Sequence, residues 1–168
     1  METAFLTASD AAADDNFGSS VAISGDQIIV GAYKNDDAGS ESGSAYVFKK
    51  IGGDWMETAL LAASDAAAGD HFGSSVGISG DEVVVGAKGK DGGAAYTYEI
   101  QQGSWMEVAK LTAFDAATDD NFGAAVAISD IPTGPNGFGG RIIIGANRND
   151  DAGNDSGSAY IFGCLDFS

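Results

Sequence analysis

The chain has 168 residues, 25 of them glycine, and its 25 carboxylates outnumber eight lysines and arginines to give a net charge of −17. So acidic a chain lacks the positive stripe that a phosphate backbone requires, which argues against nucleic acid as a partner. The single cysteine, Cys164, excludes an intrachain disulfide, and no segment reads as a signal peptide or a membrane span.

In chain order, the first strong signal is Phe17-Gly18, followed by Val21 and Ile23 alternating with Ala22 and Ser24 as a half-buried strand does. Ser24-Gly25-Asp26 is a tight-turn signal. Ile28 to Ala32 is a strand apolar on both faces, which predicts a sheet packed between two others. After the polar run Asn35 to Glu41 comes a third strand, Ser44 to Phe48, then the turn Gly52-Gly53-Asp54 and a fourth strand opening on Trp55-Met56-Glu57. Ala59 to Ala68 comes nearest to a helical period, but Ser64-Asp65 breaks it, so it reads as an outer strand running into a loop.

The whole pattern then recurs. Phe72-Gly73 and Phe122-Gly123 follow at intervals of 55 and 50 residues, each with its apolar second strand (Val83 to Ala87, Ile142 to Ala146) and its small-Ala-Tyr third strand (Ala94 to Tyr98, Ser158 to Phe162). The units run over about 1–55, 56–105 and 106–168. A four-strand period near the roughly 40–50 residues of a propeller blade predicts an all-β chain of three four-stranded antiparallel β-propeller blades. Three blades are fewer than the roughly four to eight of a closed ring, so the propeller is partial or completed by assembly. Met1-Glu2-Thr3-Ala4 aligns with Met56-Glu57-Thr58-Ala59, so the chain opens on what reads as the fourth strand of a further unit and stops after the third strand of its last. It reads either as a segment of a longer protein or as a chain whose first strand completes a last blade, three blades from each of two copies then making six.

These motifs resemble the FG-GAP repeat of integrin-alpha-type β-propellers, in the compact variety with Leu-Thr-Ala-Ser-Asp before the Phe-Gly. The resemblance implies a secreted, surface or lumenal protein that binds a partner through its propeller. It departs from the family at the usual calcium loop, Asp-x-Asp-x-Asp-Gly-x-x-x-Asp. The turn there is only Ser24-Gly25-Asp26-Gln27 or Ser79-Gly80-Asp81-Glu82, and the expanded third version, Asp130 to Gly140, has one carboxylate. Neither supplies the six or more oxygens calcium takes, and the family's site is not carried over.

Charge supplies the candidate site. In a four-stranded blade, the loop entering the first strand and the loop joining strands two and three lie at the same end. Asp10, Asp14, Asp15, Asp65, Asp70, Asp115, Asp119 and Asp120 fall in the entering loops. Asp36, Asp37, Glu41, Asp91, Asp150, Asp151 and Asp155 fall in the others and are the expected partner-binding residues, opposed by Lys34, Lys88, Lys90 and Arg148. Two near-copies, Asn35-Asp36-Asp37 and Asn149-Asp150-Asp151, offer clustered oxygens beside a glycine as candidate calcium ligands, whereas the middle unit has Lys88-Gly89-Lys90 instead. The bland alternative is a solvated, solubilising face.

Catalytic constellations are thin. His71 stands where the other units have Asn16 and Asn121, Cys164 has no supporting motif, and Gly137 to Gly140 lacks the lysine of a phosphate loop. Tyr46, Tyr96, Tyr160, Phe48 and Phe162 recur at one blade position and are expected in the core, with Phe17, Phe72 and Phe122 buried near them. The expected function is a non-enzymatic interaction or adhesion module whose acidic loop face binds a protein with a basic surface. The alternative is a structural subunit pairing through open blade edges.

Overall fold

A computed structural model describes residues 1, 3–129 and 140–163. Among them there is no helix, and eleven strands form three antiparallel sheets. The first blade holds β1 (Ser20–Ser24), β2 (Gln27–Ala32), β3 (Ser44–Ile51) and β4 (Asp54–Leu61), side by side in that order. The second repeats it with β5 (Phe72–Ser79), β6 (Glu82–Ala87), β7 (Ala94–Gln101) and β8 (Ser104–Leu111). The third has β9 (Phe122–Ser129), β10 (Arg141–Ala146) and β11 (Ser158–Gly163), three strands among the described residues. These are propeller blades in an unclosed row. The Asp130 to Gly140 insertion, save Gly140, and Cys164 lie outside the described residues.

Alternation gives each blade two faces. Ala22, Ile29, Ala45 and Val47 of the first blade pack on Phe72, Val76, Ile78, Val83, Val85, Tyr96 and Tyr98 of the second. In the same way Val84 and Ala95 of the second pack on Phe122, Val126, Ile128, Ile142, Ile144, Tyr160 and Phe162 of the third. A blade therefore turns its small-residue face to its successor and its aromatic face to its predecessor. The phenylalanine of each Phe-Gly pair packs on its own blade's aromatics: Phe72 lies 5.6 Å from Tyr96 and 6.1 Å from Tyr98, ring centre to centre.

The close approach of blades fixes one glycine contact. A Cβ on Gly31 would overlap the Gly73 carbonyl oxygen, which also accepts a 2.8 Å hydrogen bond from Ser20 Oγ. Gly86 and Ser75 make the same contacts with Gly123, the hydroxyl bond being 2.7 Å. Phe72 and Phe122 are fully buried, as the sequence leads one to expect. Phe17 is only half-buried, no other blade among the described residues lying against that face of the first blade.

Candidate functional site

The antiparallel connections bring the entering loops and the β2–β3 type loops to one end, where the backbone amide of Lys34 donates to the Asp15 carbonyl and that of Arg148 to the Asp120 carbonyl. The carboxylates there divide into those the fold uses and those it leaves outside. Asp15, Asp70 and Asp120 are buried, and each accepts a 2.8 Å bond from an amide three residues earlier, Ala12, Ala67 or Ala117. They close their own loops. Asp10, Asp65 and Asp115 each accept the hydroxyl of their blade's core tyrosine, Tyr46 at 2.8 Å, Tyr96 at 2.6 Å and Tyr160 at 2.8 Å. Burial, reinforced by these anions, raises all three phenols, Tyr160 to about 12.

The residues just before each Phe-Gly explain another part of the sequence. Asn16, His71 and Asn121 all have φ near the left-handed region, at 56°, 56° and 58°, which asparagine tolerates well. His71 holds that loop position, its Nε2 3.0 Å from Glu41 Oε2 and its ring edge-on to Tyr33. Glu41 also takes Lys34 at 3.1 Å, and hydrogen bonds from His71 and then Lys34 hold its carboxyl below the ordinary range.

Of the expected binding residues, Asp36, Asp37, Asp91, Asp150, Asp151 and Asp155 are exposed and Glu41 is half-exposed. Asp36 and Asp150 use one carboxylate oxygen each to accept the amides of Glu41 at 2.7 Å and Asp155 at 2.6 Å. Asn35 and Asn149, read as candidate ligands, are buried instead. Each amide nitrogen reaches the blade's tyrosine hydroxyl at 3.3 Å, and each amide oxygen accepts from the following loop, Asp37 N at 3.0 Å and Asp151 N at 3.2 Å. Their polar atoms are engaged in shaping the loops. Among the described residues no group of three or more histidine, cysteine, aspartate or glutamate side chains is placed to hold a metal ion.

The three blades differ electrostatically. In the second, Lys90 stands where Asn35 and Asn149 stand in the others, and its ammonium bonds the Asp65 carbonyl at 2.7 Å and the Asp70 carboxylate at 2.8 Å. Lys110 adds a 2.7 Å bond to Asp65, so the Asp65 carboxyl is held down to about 2, by Lys110 first and Tyr96 next. In the first blade the carboxyl of Asp37 lies beside that of Asp10, and partial desolvation together with that charge raises it above its ordinary value. In the third, Asp151 is raised by its contact with Asp115, whose own carboxyl is lowered, chiefly by the Tyr160 hydroxyl. The acidic end is thus neutralised in its middle and carries crowded carboxylates on both sides. The Lys90 exchange was visible in the sequence as a lysine in an otherwise repeated asparagine position; its insertion between two aspartates was not.

A search of curated proteins returned no match. The sequence model of the FG-GAP repeat matches three times, over residues 1–48, 55–98 and 105–162. FG-GAP repeats generally mediate protein interaction and adhesion, are generally non-enzymatic and occur in extracellular proteins. No helix among the described residues is long and apolar enough to cross a membrane. With the three matches spanning most of the chain, and each taking in the first three strands of one blade, the chain belongs to the FG-GAP repeat family.

Proposed function

We propose that this chain is a non-enzymatic interaction module of a surface, secreted or lumenal protein, and that it binds a partner with a basic surface through the acidic loops of its first and third blades. The observation that carries this reading is the crowding of carboxyls at Asp10/Asp37 and Asp115/Asp151, while the middle blade satisfies its own aspartates with Lys90 and Lys110. Like charges held together raise the free energy of the unbound protein, and a cationic group placed between them relieves it. The ammonium of Lys90, seated between two aspartates, is the fold's own example of such a group.

The test is thermal unfolding with added cations. A lysine-rich peptide should raise the melting temperature more than sodium at equal ionic strength, because a bound cation stabilises only the folded state while sodium screens. Changing Asp36, Asp37, Asp150 and Asp151 together to Asn should abolish the difference. Calcium is included as a separate arm: stabilisation beyond sodium would identify a metal as the relieving cation, and equality with sodium leaves the basic partner. A peptide effect that survives the fourfold change would refute the reading.

A further inference from the structure

Among the described residues the row of blades leaves two faces open, and its own interior shows what such faces hold. On the third blade, Ile143 and Ile161 are 44 % and 69 % exposed, whereas Ile29 and Val47, at the same positions in the first blade, are both 0 % exposed under the second. On the first blade, Val21 and Ile23 are each 66 % exposed, whereas Val76 and Ile78 are 8 % and 7 % under the first. One open face is therefore a successor-facing surface and the other a predecessor-facing surface. They are the two halves of a contact the chain makes twice.

Gly145 points the same way. Its equivalents Gly31 and Gly86 are glycine because the carbonyl oxygens of Gly73 and Gly123 in the next blade occupy the Cβ position. At Gly145 φ is not positive and, among the described residues, a Cβ would meet nothing nearer than Ala125 Cβ at 3.6 Å, so no contact among them requires glycine there. A glycine inside a strand weakens it unless another backbone comes close. The face is shaped for a Gly18 carbonyl that the chain cannot bring to itself without closing three blades on one another.

We infer that a second copy of this chain covers these faces, blade three of each copy packing on blade one of the other, head to tail. Two copies give six blades, within the roughly four to eight that close, and three would give nine, outside it. Continuity at the chain start supports this occupant. Leu6 and Ala8 pack on the first blade as Leu61 and Ala63 pack on the second. Thr3 to Leu6 then runs where Thr58 to Leu61 runs beside β3, and so lies in the docked copy along β11, the edge strand of its sheet among the described residues, with Phe5 opposite Tyr160 as Leu60 is opposite Tyr46.

Analytical ultracentrifugation of the chain from micromolar to near-millimolar concentration tests this, with three variants whose sites are exposed in the single copy or uncrowded within it. Wild type should form a dimer, tighter at high salt because two chains of charge −17 repel and the contact is apolar. Val21→Asp with Ile23→Asp, Ile143→Asp with Ile161→Asp, and Gly145→Val should each give a monomer with unchanged circular dichroism. An equimolar mixture of the two double variants should recover a heterodimer, weaker than wild type, through the one junction in which both faces are intact. A wild-type chain that stays monomeric throughout overturns the proposal and leaves the faces to blades other than those of a second copy. A dimer that survives both double variants, or a mixture that fails to pair, overturns it equally.

Discussion

The ammonium of Lys90 lies 2.8 Å from the Asp70 carboxylate, and their side chains are 11 % and 8 % exposed. Among the described residues this is the one ion pair at the acidic end with both partners largely out of water, so removing the cation leaves a buried anion that keeps the Ala67 amide. Lys90→Met, which keeps the apolar stem, should cost about 3 kcal/mol in urea unfolding. A loss under about 1 kcal/mol would show that water reaches Asp70 and that the middle blade is not neutralised from within.

The Phe-Gly pairs should differ in energetic weight. Phe72→Ala removes a fully buried ring between two blades and should cost about 3–5 kcal/mol by lost burial and cavity formation. Phe17→Ala, on the open face, should cost clearly less when unfolding is followed at protein concentrations where the chain is monomeric. Equal losses would mean that something within the single copy covers the first blade.

Junction glycines offer a matched pair without the complication of positive φ. Gly31→Ala drives a methyl into the Gly73 carbonyl and should destabilise by several kcal/mol, about the size of a severe overpacking. Gly145→Ala, whose methyl would meet Ala125 Cβ at an ordinary contact distance of 3.6 Å, should be neutral or slightly stabilising in the monomer. Comparable losses at both sites would refute the face assignment.

Acid should act on the aspartates in opposite directions. Asp65 has a folded pKa of about 2 against an ordinary value of 3.8, so its contribution is complete above 3.8 and lost as pH falls through about 2. Asp65→Asn should therefore show a deficit that is constant above that window and shrinks within it. Asp37 is raised, so it destabilises once ionised and its penalty disappears as pH falls through its folded value. Asp37→Asn should be more stable than wild type near neutrality and indistinguishable from it at low pH. Melting temperature against pH for both variants checks the two signs, and a deficit of Asp37→Asn near neutrality would contradict the crowding of Asp10 and Asp37.

The sequence was most informative where its period is strict. Alternation at Val21/Ile23 and at Ile28/Val30 gave the faces, and Phe-Gly, Gly-Ala and Ser-Ala-Tyr gave blade boundaries to within three residues of the strands. The candidate site was legible only as a location. Composition cannot tell Asp15, which closes its own loop in the interior, from Asp14 beside it, which is exposed, because the difference lies in a loop conformation with Asp14 at φ 70°. Nor could spacing show that Asn35 and Asn149 face inward, since an asparagine next to two aspartates reads as one more oxygen donor until its tyrosine partner is seen.

Isothermal titration of a lysine-rich peptide into three proteins tests the proposed docking face that the crowded carboxylates of the first and third blades offer a basic partner. Wild type should bind, with affinity falling as salt rises. Asp36, Asp37, Asp150 and Asp151 changed to Asn should lose at least ten-fold, about 1.4 kcal/mol. Asp26, Asp54 and Asp81 changed to Asn, exposed at the opposite end of the blades, should bind as wild type does. Equal losses in the two variants would mean that only total charge matters, and unchanged binding in the first would contradict the docking face outright.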